Sequence, residues 1–279
     1  MRMTKFLTET QKILKKYNIK PRKRMGQNFL IDSDVLDKQI AYADLQGTDI
    51  VLEIGAGIGT LTTRLADHAK KIIAVEKDPR LLDILKEQCA KYDNIKIIHD
   101  DILQLDIPPF TKVVSNIPYS ISSPLTFKLL TYDFDGAILT YQLDFAERLA
   151  ATVGSREYSR LSVTAYYRAK VKILEKISRD AFYPTPLVNS ALVKITPHPP
   201  PFLIEDEDLF FEVIRAIFNR KNRKVKTMLS IFLDKQKISI SKKQILLELT
   251  QELPFLEKRG REMLPEEIGL LTNHLRRKI

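Results

Sequence analysis

Apolar residues fall into short unbroken runs, and most runs are followed by a segment in which apolar residues recur at helical spacing. Unbroken runs are typical of strands buried on both faces, and their alternation with helices is typical of a mostly parallel sheet. The runs predict strands at residues 50–55, 71–76, 95–100, 112–117, 136–142, 171–177 and 191–196. The helical segments between them are residues 61–69, 79–92, 123–131, 144–151 and 159–169. The sequence therefore predicts an α/β fold, with its last two strands antiparallel at the end of the sheet.

The two ends of the chain have a different pattern. Residues 4–17 predict an amphipathic helix that Pro21 ends. The segment TPHPPPF at residues 196–202 contains four prolines and indicates a linker. Only helical patterns follow it, at residues 207–219, 222–234, 241–250 and 265–276. We therefore predict three parts, namely an arm at residues 1–25, an α/β domain at 26–197 and a small helical domain at 198–279.

The net charge of +10 is concentrated at the ends of the 279-residue chain. Residues 1–25 carry +8, residues 26–197 carry −2 and residues 198–279 carry +4. This pattern indicates either a solvated basic surface or a polyanionic partner, and we favour the polyanion. The candidate contacts in the arm are Lys20, Arg22, Lys23 and Arg24. Those in the last domain are Arg220, Lys221, Arg223, Lys224 and Lys226, which we expect on a helix.

Composition narrows the class of protein further. No apolar run reaches the ~18–20 residues that a membrane span needs. A single cysteine, Cys89, cannot form an intrachain disulfide or a Cys-rich metal site. We therefore expect a cytoplasmic protein that uses no metal and does not associate with membranes.

A glycine-rich loop follows the first predicted strand and precedes a helix. The loop is EIGAGIG at residues 53–59, and Glu76 ends the next strand 21 residues past Gly55. A carboxylate at this place can accept hydrogen bonds from both ribose hydroxyls of an adenosine-containing cofactor. The spacing resembles the loop of S-adenosylmethionine-dependent methyltransferases more than the dinucleotide fingerprint, which needs a small residue where Thr60 stands. A tight turn without a ligand and an NAD site are the alternatives.

Two further strand ends carry candidate chemistry. Asp101, with Ile102, is placed to receive the adenine amine of such a cofactor. Asn116-Ile117-Pro118-Tyr119 matches the Asn/Asp-Pro-Pro-Tyr signature of amino-methyltransferases, with Ile117 in place of the first proline. An exocyclic amine is a poor nucleophile because its lone pair is delocalised into the ring. The Asn116 side-chain oxygen and the Ile117 carbonyl can accept its two N–H bonds, and Tyr119 can stack on the base.

Motifs along nearly the whole chain resemble the small-subunit ribosomal RNA adenine dimethyltransferase family, including its archaeal and eukaryotic members. They are KRMGQNFLID (23–32), EIGAGIGTLT (53–62), EKD (76–78), DDI (100–102), NIPY (116–119), SREYSRLSV (155–163), FYPTPLVNSA (182–191) and FNRKNRKVKTML (218–229). The resemblance implies a Rossmann-like fold and S-adenosylmethionine as cofactor. It implies cofactor contacts from Gln27, Asn28, Leu30, Gly55, Gly57, Glu76, Lys77, Asp101, Ile102 and Asn116. It also implies that Phe182 helps form the base pocket.

The resemblance implies a reaction and a partner. The expected reaction is dimethylation of two adjacent adenosines in the 3′-terminal hairpin loop of small-subunit rRNA, on an immature small subunit, by a monomeric enzyme. One alternative is an amino-methyltransferase for DNA adenine or protein glutamine, which the KRMGQNFLID segment and the last domain disfavour. The other is an rRNA-binding assembly factor with little catalysis, and the complete set of Asn116-Ile117-Pro118-Tyr119, Glu76 and Asp101 disfavours it.

Overall fold

The computed structural model describes residues 2–235 and 253–278. These residues pack as two compact units. The first unit contains the described residues up to Ala146 together with Lys170–Pro197, and the second contains Glu147–Ala169 with the described residues from His198 onward. Within the described ranges, no helix combines the length and the apolar character that crossing a membrane requires.

The first unit is built on a large sheet. The strands are β1 (Phe29–Leu30), β2 (Ile50–Ile54), β3 (Lys71–Glu76), β4 (Ile95–His99), β5 (Lys112–Asn116), β6 (Gly136–Gln142), β7 (Ala169–Ile177), β8 (Phe182–Tyr183) and β9 (Ser190–Pro197). Seven of them form one sheet in the order β4-β3-β2-β5-β6-β9-β7, whereas β1 and β8 pair with each other. The pairs from β4 to β6 are parallel, and β9 is antiparallel to β6. The predicted α/β fold is confirmed.

The first unit also contains the helices α1 (Arg2–Lys16), α2 (Ser33–Ala43), α3 (Thr60–Ala66), α4 (Pro79–Cys89), α5 (Ser122–Leu129) and α6 (Leu143–Leu149), the last of which continues into the second unit. Helices α2, α3 and α4 pack against strands of the sheet. The central strands carry their apolar run on both faces, and Leu52, Ile72 and Val113 are fully buried. Helix α4 begins at Pro79, and the Asp78 carboxylate caps it by accepting the Arg80 N–H at 3.2 Å. The cap and the proline together fix where α4 begins.

The second unit is helical. Its helices are α7 (Arg160–Arg168), α8 (Glu207–Asn219), α9 (Val225–Lys235) and α10 (Pro265–Arg276). The apolar face of α8, including Phe210 and Ile214, is fully buried in a core that also contains Tyr158 and Tyr167. The hydroxyl groups of both tyrosines are satisfied, since Tyr158 donates to the Met263 carbonyl at 2.9 Å and Tyr167 donates to Glu207 at 2.9 Å. Buried tyrosine hydroxyls with partners stabilise a small core of this kind.

The division of the chain differs from the predicted one at residues 147–169. We predicted this segment within the α/β domain, but it packs in the second unit. The reason is burial, because Val163 and Tyr167 of α7 belong to the same apolar cluster as Phe210 of α8. Helical periodicity identifies an apolar face without identifying the core that the face joins. The change of unit at residue 198 coincides with the predicted boundary.

The basic run in the second unit is not helical from Arg220 to Lys224, so the prediction of a helix at residues 222–234 is wrong in its first turn. Helix α8 ends at Asn219, and Arg220 has non-helical backbone angles of φ −138° and ψ 71°. Helix α9 begins only at Val225, whose N–H donates to the Lys258 carbonyl at 2.8 Å. The residues between the helices therefore form a turn. The helix predicted at residues 241–250 lies outside the described residues.

Several elements of the first unit were absent from the prediction or differ from it. Strands β1 and β8 have two residues each, which is too short for a periodic signal. Helix α2 was also missed, although Asp32 caps it by accepting the Asp34 N–H. Helix α1 ends at Lys16, one residue before the predicted end, and the left-handed φ of 51° at Asn18 breaks the helix before Pro21 is reached.

Replacement of Gly260 by alanine should destabilise the second unit. A Cβ at this position would lie 2.7 Å from Ile217 Cγ2 and 3.1 Å from the Ile217 carbonyl oxygen, and the backbone atom cannot move aside cheaply. Overpacking of this kind costs about 1–3 kcal/mol. Gly47→Ala is the matched control, since nothing lies within 4 Å of a Cβ there. Urea unfolding of both variants measures the difference, and equal midpoints would contradict the expected contact.

Candidate active site

A cavity of about 500 Å³ opens in the first unit where the parallel strands end. It is lined by residues that follow or end β2, β3, β4 and β5, namely Gly55, Gly57, Glu76, Asp101 and Asn116. Ligands of open α/β sheets bind outside the carboxyl ends of the strands, at the place where the strand order reverses. Strand β2 lies between β3 and β5, so the cavity is at that place. Sequence motifs that are distant along the chain thus meet in one cavity.

The backbone of the glycine loop allows neighbouring groups to approach it closely. Gly55, Gly57 and Gly59 have φ values of 72°, 61° and 86°, a left-handed conformation that side chains rarely adopt. A Cβ at Gly55 would lie 3.1 Å from Pro118 Cγ, and a Cβ at Gly57 would lie 3.3 Å from the Phe29 ring. The loop therefore contacts both the Asn-Ile-Pro-Tyr loop and the N-terminal segment, and any side chain would push one of them away.

The side chain of Glu53 is a buried carboxyl group in the wall of the cavity. It is 2% exposed, and its Oε2 atom has no hydrogen-bond partner among the described residues. Burial raises the pKa of Glu53 to about 8. An unpartnered buried carboxyl beside a ligand cavity fits a cationic group, and S-adenosylmethionine carries both an ammonium and a sulfonium. The residues present therefore fit that cofactor.

The predicted ribose carboxylate, Glu76, is held by the backbone. Its Oε2 accepts the Gly57 N–H at 2.8 Å, and its Oε1 accepts the Asp78 N–H at 2.7 Å. Burial raises the pKa of Glu76. Each carboxylate oxygen has a second lone pair, so Glu76 can still accept hydrogen bonds from two vicinal hydroxyl groups.

The predicted adenine site lies at the end of β4. Asp101 accepts the Leu103 N–H at 3.0 Å and pairs with the Lys77 ammonium at 2.6 Å. The hydrogen bond from Lys77 lowers the pKa of Asp101. Ile102 is buried and also lines the cavity. Lys77, predicted as a cofactor contact, lines the cavity while it neutralises Asp101.

A buried carboxylate, Asp78, anchors the N-terminal segment to the cavity. Asp78 accepts a hydrogen bond from Gln27 Nε2 at 2.8 Å and from Arg80 Nε at 2.9 Å. The Gln27 side-chain oxygen accepts the Arg22 N–H at 2.8 Å, so both ends of this amide hold the segment in place. The hydrogen bond from Arg80 lowers the pKa of Asp78 to about 2, which keeps the carboxylate ionised at neutral pH. Asp78 closes the EKD motif, yet no role could be assigned to it from the sequence.

The other predicted residues of this segment also line the cavity. Asn28 Nδ2 donates to the Gly26 carbonyl at 3.3 Å, which stabilises the turn. Leu30 is buried and pairs with Phe182 in the short β1–β8 sheet. Phe182 is 2% exposed, so its ring is packed within the cavity wall. Arg22 and Arg24 line the same cavity, at its N-terminal wall.

The Asn-Ile-Pro-Tyr loop begins at the last residue of β5 and is fixed by the neighbouring strand. Thr140 of β6 donates its hydroxyl hydrogen to Asn116 Oδ1 at 2.7 Å, and its carbonyl accepts the Ile117 N–H at 3.2 Å. The Tyr119 hydroxyl is 2.6 Å from Ser190 Oγ, and burial raises the pKa of Tyr119. The roles of Thr140 and Ser190 were missed because each reaches the loop only through the folded sheet.

The basic residues of the second unit have unequal roles. Lys221 donates to the carbonyl groups of Arg156 and Tyr158 at 2.5 and 2.9 Å, so its charge ties two segments together. Lys224 and Lys226 both pair with Glu257, at 2.6 and 2.5 Å. In contrast, Arg220 and Arg223 are exposed and form no ion pair with a described residue.

Further arginines lie on the two chain segments to which Lys221 and Lys224 are hydrogen-bonded. The Lys221 carbonyl accepts the Arg261 N–H at 3.0 Å, and Lys224 forms an antiparallel bridge with Arg259. Arg156, Arg259 and Arg261 are exposed, as are Arg220 and Arg223. Three separate segments thus carry the arginine surface, defined as Arg156, Arg220, Arg223, Arg259 and Arg261. Sequence reasoning identified only one of the three, because the backbone pairing between them is long-range.

Within the described part of the chain, no group of three or more His, Cys, Asp or Glu residues is arranged to hold a metal ion.

The sheet, the glycine loop and the carboxylates at the strand ends define an S-adenosylmethionine-dependent methyltransferase. The chain belongs to the ribosomal RNA adenine dimethylase family, whose model matches residues 18–254. It is 46% identical over 265 residues to the probable ribosomal RNA small subunit methyltransferase A of Methanosarcina acetivorans, covering 94% of this chain and 96% of that protein.

Solved structures show the same fold. The dimethyladenosine transferase from Plasmodium falciparum has a TM-score of 0.80 at 31% identity, covering 90% of this chain and 98% of that chain. The 23S rRNA methyltransferase ErmE has a TM-score of 0.67 at 26% identity, covering 89% of this chain and all of that chain.

Glu53 should make the stability of the protein depend on pH. An unfolded glutamate ionises near 4.5, whereas folded Glu53 keeps its proton up to about 8. Between these values the folded state binds more protons, so the free energy of unfolding falls as the pH rises. Glu53→Gln should therefore lose less stability than the wild type between pH 5 and 8, measured as thermal midpoints. Glu9→Gln, an exposed control on α1, should follow the wild type. Parallel curves for Glu53→Gln and wild type would contradict the assignment.

Proposed function

We propose that the protein transfers methyl groups from S-adenosylmethionine to the exocyclic amines of two adjacent adenosines in the 3′-terminal hairpin loop of small-subunit rRNA. The partner is the immature small subunit, and the enzyme acts as a monomer in the cytoplasm, away from membranes. The observation that carries the proposal is the contact between the glycine loop and the Asn-Ile-Pro-Tyr loop, where Gly55 meets Pro118. This contact supports the proposal, because the loop that we propose for the methyl donor and the loop that we propose for the amine line one cavity.

The residues of the cavity have distinct proposed roles toward the cofactor. Glu76 accepts the ribose hydroxyls, Asp101 with Ile102 holds the adenine, and Glu53 with the glycine loop receives the amino-acid part. Gln27 donates a hydrogen bond to Asp78 and so holds the N-terminal segment in the cavity wall. When bound, the cofactor supplies a methyl group on a sulfonium, which is already a good leaving group. No strong general base or metal is therefore required, and catalysis is mainly positioning.

The proposed catalytic group acts on the nitrogen of the target base. Asn116 Oδ1 and the Ile117 carbonyl accept the two amine N–H bonds, which draws the lone pair out of conjugation and directs it at the methyl carbon. The bound cofactor would supply the methyl group to this nitrogen, with its sulfur as the leaving group, and the amine proton would pass to water. Thr140 is a positioning residue in this scheme, since its hydroxyl fixes the Asn116 amide and its carbonyl fixes the Ile117 peptide. Tyr119 and Phe182 form the walls that contact the base.

Incubation with labelled S-adenosylmethionine and undermethylated small subunits tests the reaction, with methylated nucleosides mapped afterwards. Wild-type protein should produce dimethyladenosine at the two adjacent positions. Asn116→Ala should reduce turnover about a hundredfold or more and leave cofactor affinity within about threefold, because the variant has no side-chain acceptor for the amine. Thr140→Val should reduce kcat about tenfold with little change in KM, and Thr140→Ser should restore it.

Three outcomes of this experiment would count against the proposal. Absence of dimethyladenosine, or label found only in DNA or protein, would contradict the substrate. Loss of cofactor binding in Asn116→Ala would contradict the role of Asn116. A Thr140→Ser variant as slow as Thr140→Val would show that the hydroxyl is not what positions the amide.

The arginine surface supplies the proposed rRNA contacts of the second unit. Arginine forms bidentate hydrogen bonds to phosphate, and such contacts orient the RNA without reading its sequence. Lys20, Arg22, Lys23 and Arg24 are the proposed phosphate contacts of the first unit. Lys221, Lys224 and Lys226, which we expected to bind RNA directly, contribute here mainly by holding the turn and its neighbours in place.

Removal of exposed arginines should weaken rRNA binding in a salt-dependent way. Arg220→Ala together with Arg223→Ala should reduce affinity at low salt and lower the slope of log affinity against log salt by about two, because each arginine neutralises about one phosphate. Arg215→Ala, an exposed arginine of α8 outside the arginine surface, is the charge-matched control. Filter binding across a salt series measures both quantities. An unchanged slope in the double variant would contradict phosphate binding by these residues.

A further inference from the structure

An exposed apolar pair lies in the segment that joins β8 to β9. Leu187 is 92% exposed and Val188 is 41% exposed. No charged residue occurs between Ala181 and Ser190, so neither repulsion from phosphate nor an ion pair is available there. Single exposed apolar residues are common, but adjacent ones beside a ligand cavity are typical of a binding surface.

Both ends of this segment belong to the cavity wall. Phe182 lines the cavity, and Ser190 Oγ lies 2.6 Å from the Tyr119 hydroxyl. Leu187 is three residues before Ser190, and three residues span at most about 10 Å. Leu187 is therefore within reach of the rim at which a base would enter beside Tyr119.

The segment is held in position below its exposed side chains. The Asn189 carbonyl accepts the Leu143 N–H at 2.9 Å, and Asn189 Oδ1 accepts the Arg179 N–H at 3.0 Å. Pro186, directly before Leu187, is buried. An apolar side chain on a fixed backbone loses little conformational entropy when a partner covers it.

We propose that Leu187, with Val188, is an apolar wedge that contacts the nucleotide adjacent to the adenosine in the cavity. The inference rests on the proposed function and adds a contact to it. A base that leaves its stack exposes the apolar face of its neighbour, and proteins that unstack bases cover such faces with aliphatic side chains. Because the two target adenosines are adjacent, the wedge contacts one target when the other occupies the cavity, and it contacts the nucleotide that flanks the pair in the reverse arrangement.

Photo-crosslinking tests which molecule contacts the wedge. Leu187→p-benzoylphenylalanine is irradiated with undermethylated small subunits, and the products are mapped on the rRNA by reverse transcription. We expect crosslinks at a target adenosine and at the nucleotide that flanks the target pair. Leu203→p-benzoylphenylalanine is the matched control, since Leu203 is 80% exposed and lies in the second unit. Crosslinks from Leu187 to a ribosomal protein, or to the same nucleotides as from Leu203, would overturn the proposal.

Single-turnover methylation of the same subunits tests whether the contact matters for the reaction. Leu187→Ala should slow methylation about tenfold or more and Leu187→Asp further, whereas Leu187→Phe should keep the wild-type rate because an aromatic ring also stacks on a base. Thermal midpoints and cofactor affinity should not change, because the side chain is solvent-exposed. Equal rates for Leu187→Ala and wild type overturn the wedge alone. Absence of methylation by the wild type overturns the proposed function instead.

Discussion

The candidate site depends on one buried carboxylate. Asp78 caps α4, donates its own N–H to Glu76, and accepts hydrogen bonds from Gln27 and Arg80. These four interactions join Glu76, a helix of the sheet domain and the N-terminal segment. Burying an ionised carboxylate is costly unless it is paired and hydrogen-bonded, and here it is both. The cavity wall formed by residues 22–30 is therefore held by a side chain whose partners are distant from it along the chain.

Charge is distributed so that the proposed amine site is uncharged. Carboxyl groups line the part of the cavity that we propose for the cofactor, and Glu53, Glu76 and Asp101 each have a pKa moved from its usual value by burial or by Lys77. At the other end, Asn116 and Thr140 bond only through neutral groups. An uncharged amine site also agrees with the small net charge of residues 26–197, which is −2.

Sequence reasoning succeeded where the signal is local. The strands at residues 71–76 and 136–142 have the predicted bounds, because a run buried on both faces is apolar throughout. The glycine loop, Glu76, Asp101 and the Asn-Ile-Pro-Tyr loop meet as expected, since the ends of parallel strands share one edge of the sheet. The roles of Thr140, Ser190 and Asp78 could not be found in this way. Each acts through hydrogen bonds to residues of another element, and its local sequence does not indicate those partners.

The basic residues also have partners on distant parts of the chain, which their local sequence does not indicate. The run from Arg220 to Lys226 is conspicuous in the sequence, yet three of its five cations are used to bind other parts of the second unit. Lys221 brings Arg156 and Arg261 near the turn, although each is distant along the chain. A lysine with a flexible stem suits this internal role. Arg220 and Arg223 remain exposed, whereas Arg259 donates to the Asn222 carbonyl and, like Arg261, lies 3.9 Å from the Glu262 carboxylate. A cluster of charge in a sequence therefore locates a surface, and the fold decides which of its members can meet a ligand.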